Sequence, residues 1–569
     1  MNRNGHYSYW KSVWLQFKKH RLGYCALIVV ITFCLMGIYA PFLASSKPFI
    51  VYFDGEWYFP LFRYLFYQRF FSKRLDLFYN LLMFTLPVMI LTWYALRHHR
   101  RWLKVSISII LILQFSLFLY LAYRRPVDPA ADRQLTQKRQ MELKQMRQLA
   151  AEHPLWFNET VISWDTTLTY LSPYAKLNLV LRHKQRQEQQ KILIPYVNRY
   201  SADSKLRGNT DLAMPTLWQL DQDHLKDQKQ RLEQIIEHNA QAYPEAKATI
   251  DKLHEACKAE STLLPSWMIC NFLTHLSPEE LRPLMNAKRI VQTYDNALSQ
   301  IKYLNDKQEW LDQQAAGLHF DIMPLVTPFH WEDDAGGNEM LNKIVGWGEL
   351  TRINRKDLVA GLIFGTRISI SVGILAVGLA LLIGIPIGAF SGYYGGKIDI
   401  VTYRLIEIWE SMPTFFMLLM VVAFLQSKSI FLVIAVIGFF GWTNFSRYVR
   451  GEFFKQKQLP YVEACHAMGF KDRYIMFSHL LPNAIPPLLT LVPFAMMGAI
   501  TSEAGLSFLG LGEENSCSWG VLMDEGRNAF PNESYLLWPP AIMLTILLVA
   551  IALVGDALRD ALDPKLRKR

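Results

Sequence analysis

The sequence predicts an all-α polytopic membrane protein with about eight transmembrane helices and a large, mostly helical extracytoplasmic insert. Three observations carry that expectation. Of the 569 residues, 51% are hydrophobic and 19% charged, whereas soluble domains are typically about a quarter charged. Apolar stretches recur along the chain, each long enough at ~1.5 Å per residue to cross a ~30 Å hydrocarbon core. Between the third and fourth stretches, from about Arg124 to Asp357, the composition turns to Gln, Lys, Glu and Asp.

The first stretch, Gly23 to Leu43 (residues 23–43), follows a segment, 1–22, that holds Arg3, Lys11, Lys18, Lys19 and Arg21 and no acidic residue. A cleaved signal peptide has an apolar core of only ~7–15 residues, so this stretch reads as a retained transmembrane helix. Region 44–123 adds two spans, Leu77–Leu96 and Val105–Tyr123. Region 358–569 supplies five more: Ile368–Phe390, Leu405–Leu425, Ser429–Val449, Ala484–Ala504 and Trp538–Leu558. An even number places both termini on one side. The basic N-terminal run and the tail residues Arg559, Lys565, Arg567, Lys568 and Arg569 assign that side to the cytoplasm.

The loop RHHRRWLK agrees with this orientation, as does the segment 450–482 with Lys455, Lys457, Lys471 and Arg473. Glu513, Glu514, Asp524, Glu525 and Glu533 precede the last span and fall outside. One stretch runs against the rule: Arg63, Arg69, Lys73 and Arg74 lie among aromatics on the side that parity makes external. A surface-lying amphipathic element would hold those aromatics at the interface.

Within the insert, 124–357, the segments 132–153 and 221–246 space apolar residues three and four apart among good helix formers. The net charge of +11 invites a nucleic-acid reading, but acidic and basic residues interleave throughout, as on solvated helix faces, so no nucleic-acid partner is expected. Cys25 and Cys34 lie in the first span and Cys465 in a cytoplasmic loop, where thiols stay reduced, while Cys257, Cys270 and Cys517 fall outside. A Cys257–Cys270 disulfide is left open. A metal site from His254, Cys257, Cys270 and His275 matches no standard zinc spacing, so no metal is expected.

The run GYYGGKI, Gly392 to Ile398, superficially suggests a phosphate loop. Ser391 stands where its first glycine belongs and Ile398 where its hydroxyl belongs, so it reads as a turn between membrane helices. No GxSxG, HExxH or paired CxxC motif is present. The chain is therefore read as a non-enzyme that binds no cofactor of its own and draws energy from another subunit. Glu407, Glu410, Glu503 and Asp556 are expected near the ends of their spans in structural roles, and Pro386, Pro413 and Pro493 as kinks or packing points.

The most informative segment is YVEACHAMGFKDRYIMFSHLLPNAIPPLL, Tyr461 to Leu489. A short helix around Glu463–Met468 presents the small residues Ala464, Cys465 and Ala467 to a partner. Gly469 supplies the left-handed turn that ends it, a second helical piece runs to Leu481, and Pro482 suits the start of the next element. Such a loop can be a plain connector, but its length favours a docking element.

This loop resembles the "EAA" coupling loop of ABC-importer permeases through Glu463, Ala464, Gly469, Ile475, His479, Leu480, Leu481, Pro482 and Asn483, departing where Cys465 replaces the second alanine. The segments Phe364–Gly396, Ser502–Gly512, Ser518–Met523 and Gly555–Leu566 follow the order seen in oligopeptide/dipeptide/nickel permeases, specifically the C-type partner of the pair. The run NRKD, Asn354 to Asp357, departs from that family's GRD turn. The resemblance covers about residues 350–569 and the N-terminal helix, and leaves out the second and third spans and most of the insert.

It implies a type I ABC importer permease core in the bacterial cytoplasmic membrane, with peptides of the oligopeptide or dipeptide class as cargo. It also implies a second, B-type permease, one or two ABC ATPases that bind ATP and Mg²⁺, and an extracytoplasmic solute-binding protein that the enlarged insert contacts or guides. Glu463, Ala464, Cys465, Gly469, Ile475, His479, Leu480 and Pro482 would form the ATPase-coupling loop. A membrane-anchored scaffold or receptor would account for the insert but not for the loop.

Overall fold

The apolar runs fold as helices. In the structure, a computed structural model, the described residues are 9–45, 47–66, 74–124, 141, 144, 163–185, 187, 217–257, 277–318, 320–326, 358–425, 429–513, 516–528 and 537–562. They fall into two compact units, one of Met1–Lys47, Phe70–Arg124 and Met323–Arg569, the other of Pro48–Arg69 and Arg125–Ile322.

In the first unit, seven described helices are long and apolar enough to cross a membrane: Arg21–Ile38, Arg74–Leu96, Arg101–Arg124, Leu358–Tyr394, Ile430–Lys457, Val492–Leu511 and Trp538–Leu562. A bent pair, Gly396–Glu410 and Phe415–Leu425, is either a broken eighth span or a re-entrant loop. Two spans differ from the sequence expectation. The expected Leu405–Leu425 span is broken by a 74° bend, because Pro413 supplies no N–H to the helix ladder and clashes with the preceding turn. The expected Ala484–Ala504 span starts only at Val492. Pro486 and Pro487 lie in a separate helix, Leu481–Leu489, which stops at Thr490 and Leu491 before the chain turns helical again.

The later start carries the span to Leu511 and places Glu503 well inside it rather than near its end. Glu503 is fully buried, and its Oε1 accepts hydrogen bonds from Ser507 Oγ at 2.7 Å and Ser518 Oγ at 2.6 Å. These two hydroxyls replace the water that an interfacial carboxylate would use.

The longest membrane helix, Leu358–Tyr394, packs most extensively on Trp442–Lys457. A Cβ added at Gly384, Gly388 or Gly392 would stand 2.6, 2.3 and 2.7 Å from the carbonyl oxygens of Trp442, Ser446 and Arg450. Glycine at every fourth position thus lets the two backbones touch, where dispersion rather than the hydrophobic effect must hold helices together in lipid.

One end of this unit is clamped by Arg367, fully buried in the same long helix. Its Nε donates to Gly37 O at 2.7 Å and Nη2 to Ile38 O at 3.4 Å, the last carbonyls of Arg21–Ile38. Nη1 reaches Asp76 Oδ1 at 3.0 Å and Nη2 reaches Asn80 Oδ1 at 2.9 Å. Tyr79 Oη lies 2.9 Å from Ser371 Oγ and donates to Arg367 O at 3.2 Å. Asp76, Tyr79 and Asn80 all belong to Arg74–Leu96, one of the two spans that the family resemblance leaves out.

The second unit contains strands as well as helices. Strands β1 (Ile50–Phe53), β2 (Glu56–Tyr58) and β3 (Asp321–Ile322) form an antiparallel sheet in the order β2-β1-β3, with Val51 opposite both Tyr58 and Asp321. Asp54 and Gly55 turn the β1–β2 hairpin with φ of 51° and 81°, the Asp-Gly conformation that matches the strand twist. Upstream of the aromatic stretch that holds Arg63, Arg69, Lys73 and Arg74, of which 67–73 lie outside the described residues, this hairpin sends Val51, Phe53 and Tyr58 into a core with Leu177, Leu181 and Leu311. Arg63 stacks over the Tyr174 ring at 3.7 Å, and burial beside Glu56 pushes the Tyr58 phenol up to about 12.

Helices Leu217–Ala240 and Tyr243–Cys257 agree with the periodicity read at 221–246. The helix Pro278–Gly317 starts in a reciprocal cap in which Ser277 N donates to Glu280 Oε2 at 3.0 Å and Glu280 N donates to Ser277 Oγ at 3.4 Å. The bond from the Ser277 backbone holds the Glu280 carboxyl below its ordinary value. Segment 132–153, apart from 141 and 144, lies outside the described residues, as do Arg69, Lys73, Cys270, His275, Glu514, Glu533 and 354–357.

Candidate functional site

The segment 450–482 is built from the end of one span to the start of the next. Trp442–Lys457 extends past the apolar run, and an extended Leu459 with Pro460 at the first helical position starts the short helix Pro460–Ala467. Its end is closed by two backbone bonds, Gly469 N to His466 O at 2.9 Å and Phe470 N to Cys465 O at 3.1 Å. Gly469 takes φ of 76°. This is the left-handed glycine cap expected from the sequence, and it satisfies carbonyls that the helix end would otherwise leave bare.

After the turn the chain is helical from Asp472 to Leu489, widened by a π-helical turn over Ile475–Leu480. Ile475, Met476, Leu480, Ala484 and Leu488 point inward and are buried. His479 lies against Phe470 at 6.1 Å and Tyr474 at 5.3 Å between ring centroids, and its buried Nε2 has no hydrogen-bond partner among the described residues.

The structure sorts the expected coupling residues onto two sides. Glu463, Ala464, Gly469 and Pro482 are exposed, as are Met468, Phe470, Tyr474 and Phe477. Cys465 differs from the expectation that it faces a partner with Ala464 and Ala467. Its three-residue spacing from Val462 puts both side chains on the inward face of the short helix, where both are buried. Glu463 forms no hydrogen bond or ion pair among the described residues; it sits in the first turn, where its charge complements the helix dipole.

Anchors that the sequence reading missed tie this segment to the span ends. Tyr393 Oη donates to Asp472 Oδ1 at 2.8 Å and lies 3.4 Å from His466 Nε2. Lys457 Nζ donates to Tyr393 O at 2.6 Å. Just below, Asp399 takes a bidentate grip from Arg450, with Nη2 to Oδ2 at 2.7 Å, and a bond from Ser391 Oγ at 2.6 Å. Arg450 also lies over the Tyr403 and Phe454 rings at 5.2 and 5.0 Å. The GYYGGKI run is the expected turn, with Gly395 and Gly396 at φ of 66° and 52°, and its tyrosine doubles as the anchor. Polar residues clustered at span ends were the available signal.

An exposed apolar and small-residue face, rigidly capped and bonded to two membrane helices, suits a mechanical contact with another protein.

Residues 384–568 match the family described as binding-protein-dependent transport system inner membrane component, and residues 8–60 match the N-terminal TM domain of oligopeptide transport permease C. The oligopeptide transport system permease protein of Haemophilus influenzae is 39% identical over 248 residues, which is 43% of this chain and 79% of that protein. The corresponding protein of Bacillus subtilis is 37% identical over 214 residues, 37% of this chain and 70% of its own. A peptidoglycan transport system permease protein of Agrobacterium fabrum is 37% identical over 211 residues, 37% of this chain and 55% of that relative. The chain thus spans little more than half of the Agrobacterium protein, and the family matches leave 61–383 uncovered.

Proposed function

Because the chain belongs to the family of binding-protein-dependent transport permeases related to oligopeptide permease C, we propose that it is the membrane subunit of an ATP-driven importer of peptide-class solutes. Separate ATPase subunits, which bind ATP and Mg²⁺, dock on the exposed face of segment 450–482. A second permease completes the pathway, and an extracytoplasmic solute-binding protein delivers cargo.

The observation that carries this reading is the Gly469-capped helix together with its ties to the spans. A push on Glu463–Gly469 passes through the Tyr393–Asp472 bond to Leu358–Tyr394 and through the chain itself to Trp442–Lys457. Those two helices touch backbone to backbone, so ATPase closure moves them together as a rigid body. Relatives named for oligopeptide, dipeptide, glutathione and peptidoglycan transport favour amide-bearing cargo and leave its length open. The basic tails favour cytoplasmic termini; with three spans ahead of it, the insert 124–357 then faces outward, toward the binding protein.

Purification of the tagged chain with its chromosomal neighbours tests the proposal. A complex containing an ATPase whose hydrolysis rises with binding protein and peptide is expected. A chain that binds no ATPase, even when candidates are added back, refutes it.

A further inference from the structure

Within the membrane unit, an open cavity of about 720 Å³ lies chiefly between three helices, with Leu418 and Ile437 of two others completing its lining, a volume within the range typical of small-ligand sites. Leu358–Tyr394 and Val492–Leu506 line it with small side chains such as Ala376, Ala380, Ala495 and Ala499. The third wall, from Trp442–Lys457, is polar. Asn444, Arg447, Tyr448, Gly451 and Glu452 recur at three- and four-residue spacing and so share one helix face.

Two features separate this cavity from a packing defect. The polar wall runs from Asn444 at the end of the apolar run to Glu452 beyond it, a position where charged side chains can meet water, partner charges or a polar solute. The glycines also differ from those at Gly384, Gly388 and Gly392. At Gly451 and Gly498 an added Cβ would find no atom within 4 Å. Each forfeits helix propensity relative to alanine and gains no close contact in return; what each preserves is open volume.

The charges on the polar wall are paired with partners outside the cavity lining or with an exposed lysine. Arg447 pairs with Glu410 while its side chain stays 46% exposed, and Glu452 has Lys455 Nζ 3.7 Å away with that lysine 74% exposed. Both signs are thus presented on one face and can exchange partners. The geometry points to this cavity as the chain's own wall of the solute path, with Arg447 meeting the carboxylate and Glu452 the ammonium of a zwitterionic, peptide-like solute, and Gly451 and Gly498 keeping the passage clear. This rests on the importer reading above.

The test uses the full complex in proteoliposomes with trialanine as probe. Gly498→Leu and Gly451→Leu fill the cavity, and uptake should fall at least tenfold while complex yield is unchanged. Gly498→Ala, which adds one methyl group, should keep most of it. Gly378→Leu is the control, because its Cβ also enters open space but away from this cavity; it should transport normally. If a leucine variant assembles poorly, Gly498→Cys is assembled first and then alkylated, with the wild type treated identically, and the same loss is expected. Arg447→Gln should lose the preference for trialanine over its C-terminal amide, and Glu452→Gln the preference over its N-acetyl form. Unimpaired uptake in the leucine and alkylated variants beside an active wild type overturns the cavity assignment alone. A wild-type complex with neither uptake nor peptide-stimulated ATPase overturns the importer reading and this inference with it.

Discussion

Replacing Gly469 isolates backbone conformation from packing. Its φ of 76° lies in the left-handed region, and an added Cβ meets no atom within 4 Å, so any penalty is torsional. Asparagine tolerates this region and should change little. Alanine should lose about 1–2 kcal/mol. Valine, stiff at χ1, should lose more and endanger the two capping bonds, each worth about 0.5–1.5 kcal/mol, for a local total of about 2–4 kcal/mol. Since 1.4 kcal/mol is a factor of about ten in population, the docking-competent turn should become tens to hundreds of times rarer in Gly469→Val. Measured as peptide uptake per ATP hydrolysed in proteoliposomes, coupling should rank wild type, Asn, Ala, Val, with membrane abundance constant. Equal coupling in all four variants would refute the role given to this turn.

Tyr393→Phe removes the bond to Asp472 but keeps the ring. Because Asp472 is exposed and can rehydrate, the loss should be about 1 kcal/mol, seen as a several-fold drop in uptake per ATP with ATPase binding retained. Excising 70–124 removes two spans between segments of the second unit and strips Arg367 of Asp76 and Asn80. An uncompensated buried charge costs about 3–5 kcal/mol, so the thermal midpoint in detergent should fall sharply, and Arg367→Met in the deleted chain should restore part of it. No rescue would mean that the helix pair acts through packing alone. Glu280 has a lowered native value, so its cap contributes fully above the usual glutamate range and is lost as pH falls through the lowered value. Hydrogen exchange at the start of Pro278–Gly317, corrected for intrinsic rate, should rise in that acidic window, and Glu280→Gln should abolish the dependence.

Much of the membrane unit was legible because run length and charge are local properties. The left-handed turn at Gly469 followed from the residue type alone. The misplacements have local causes that hydropathy averaging conceals: Pro413 breaks a run that remains apolar, and Pro486 with Pro487 detaches the first part of another. The Asp54-Gly55 hairpin carried a readable turn signal that the surrounding aromatics obscured. Glu503 and Tyr393 were not readable, because their roles depend on Ser518 and Asp472, partners that only the tertiary fold brings near. Cys465 was misjudged for a different reason: its size suited docking, but the phase of an eight-residue helix decided which way it faced.

The glycine contact between the two central helices constrains length more than composition. Leu382, on the same helix, is 72% exposed, and any apolar residue can serve there. A single residue inserted after Pro386 would instead rotate everything beyond it by about 100° and drive Ile387 into the carbonyl of Ser446, where Gly388 had stood. Homologous chains can therefore drift freely at lipid-facing positions here, while insertions and deletions should be purged between Gly384 and Gly392. Chimaeras that exchange this helix with a relative's should work only when the glycines stay in phase.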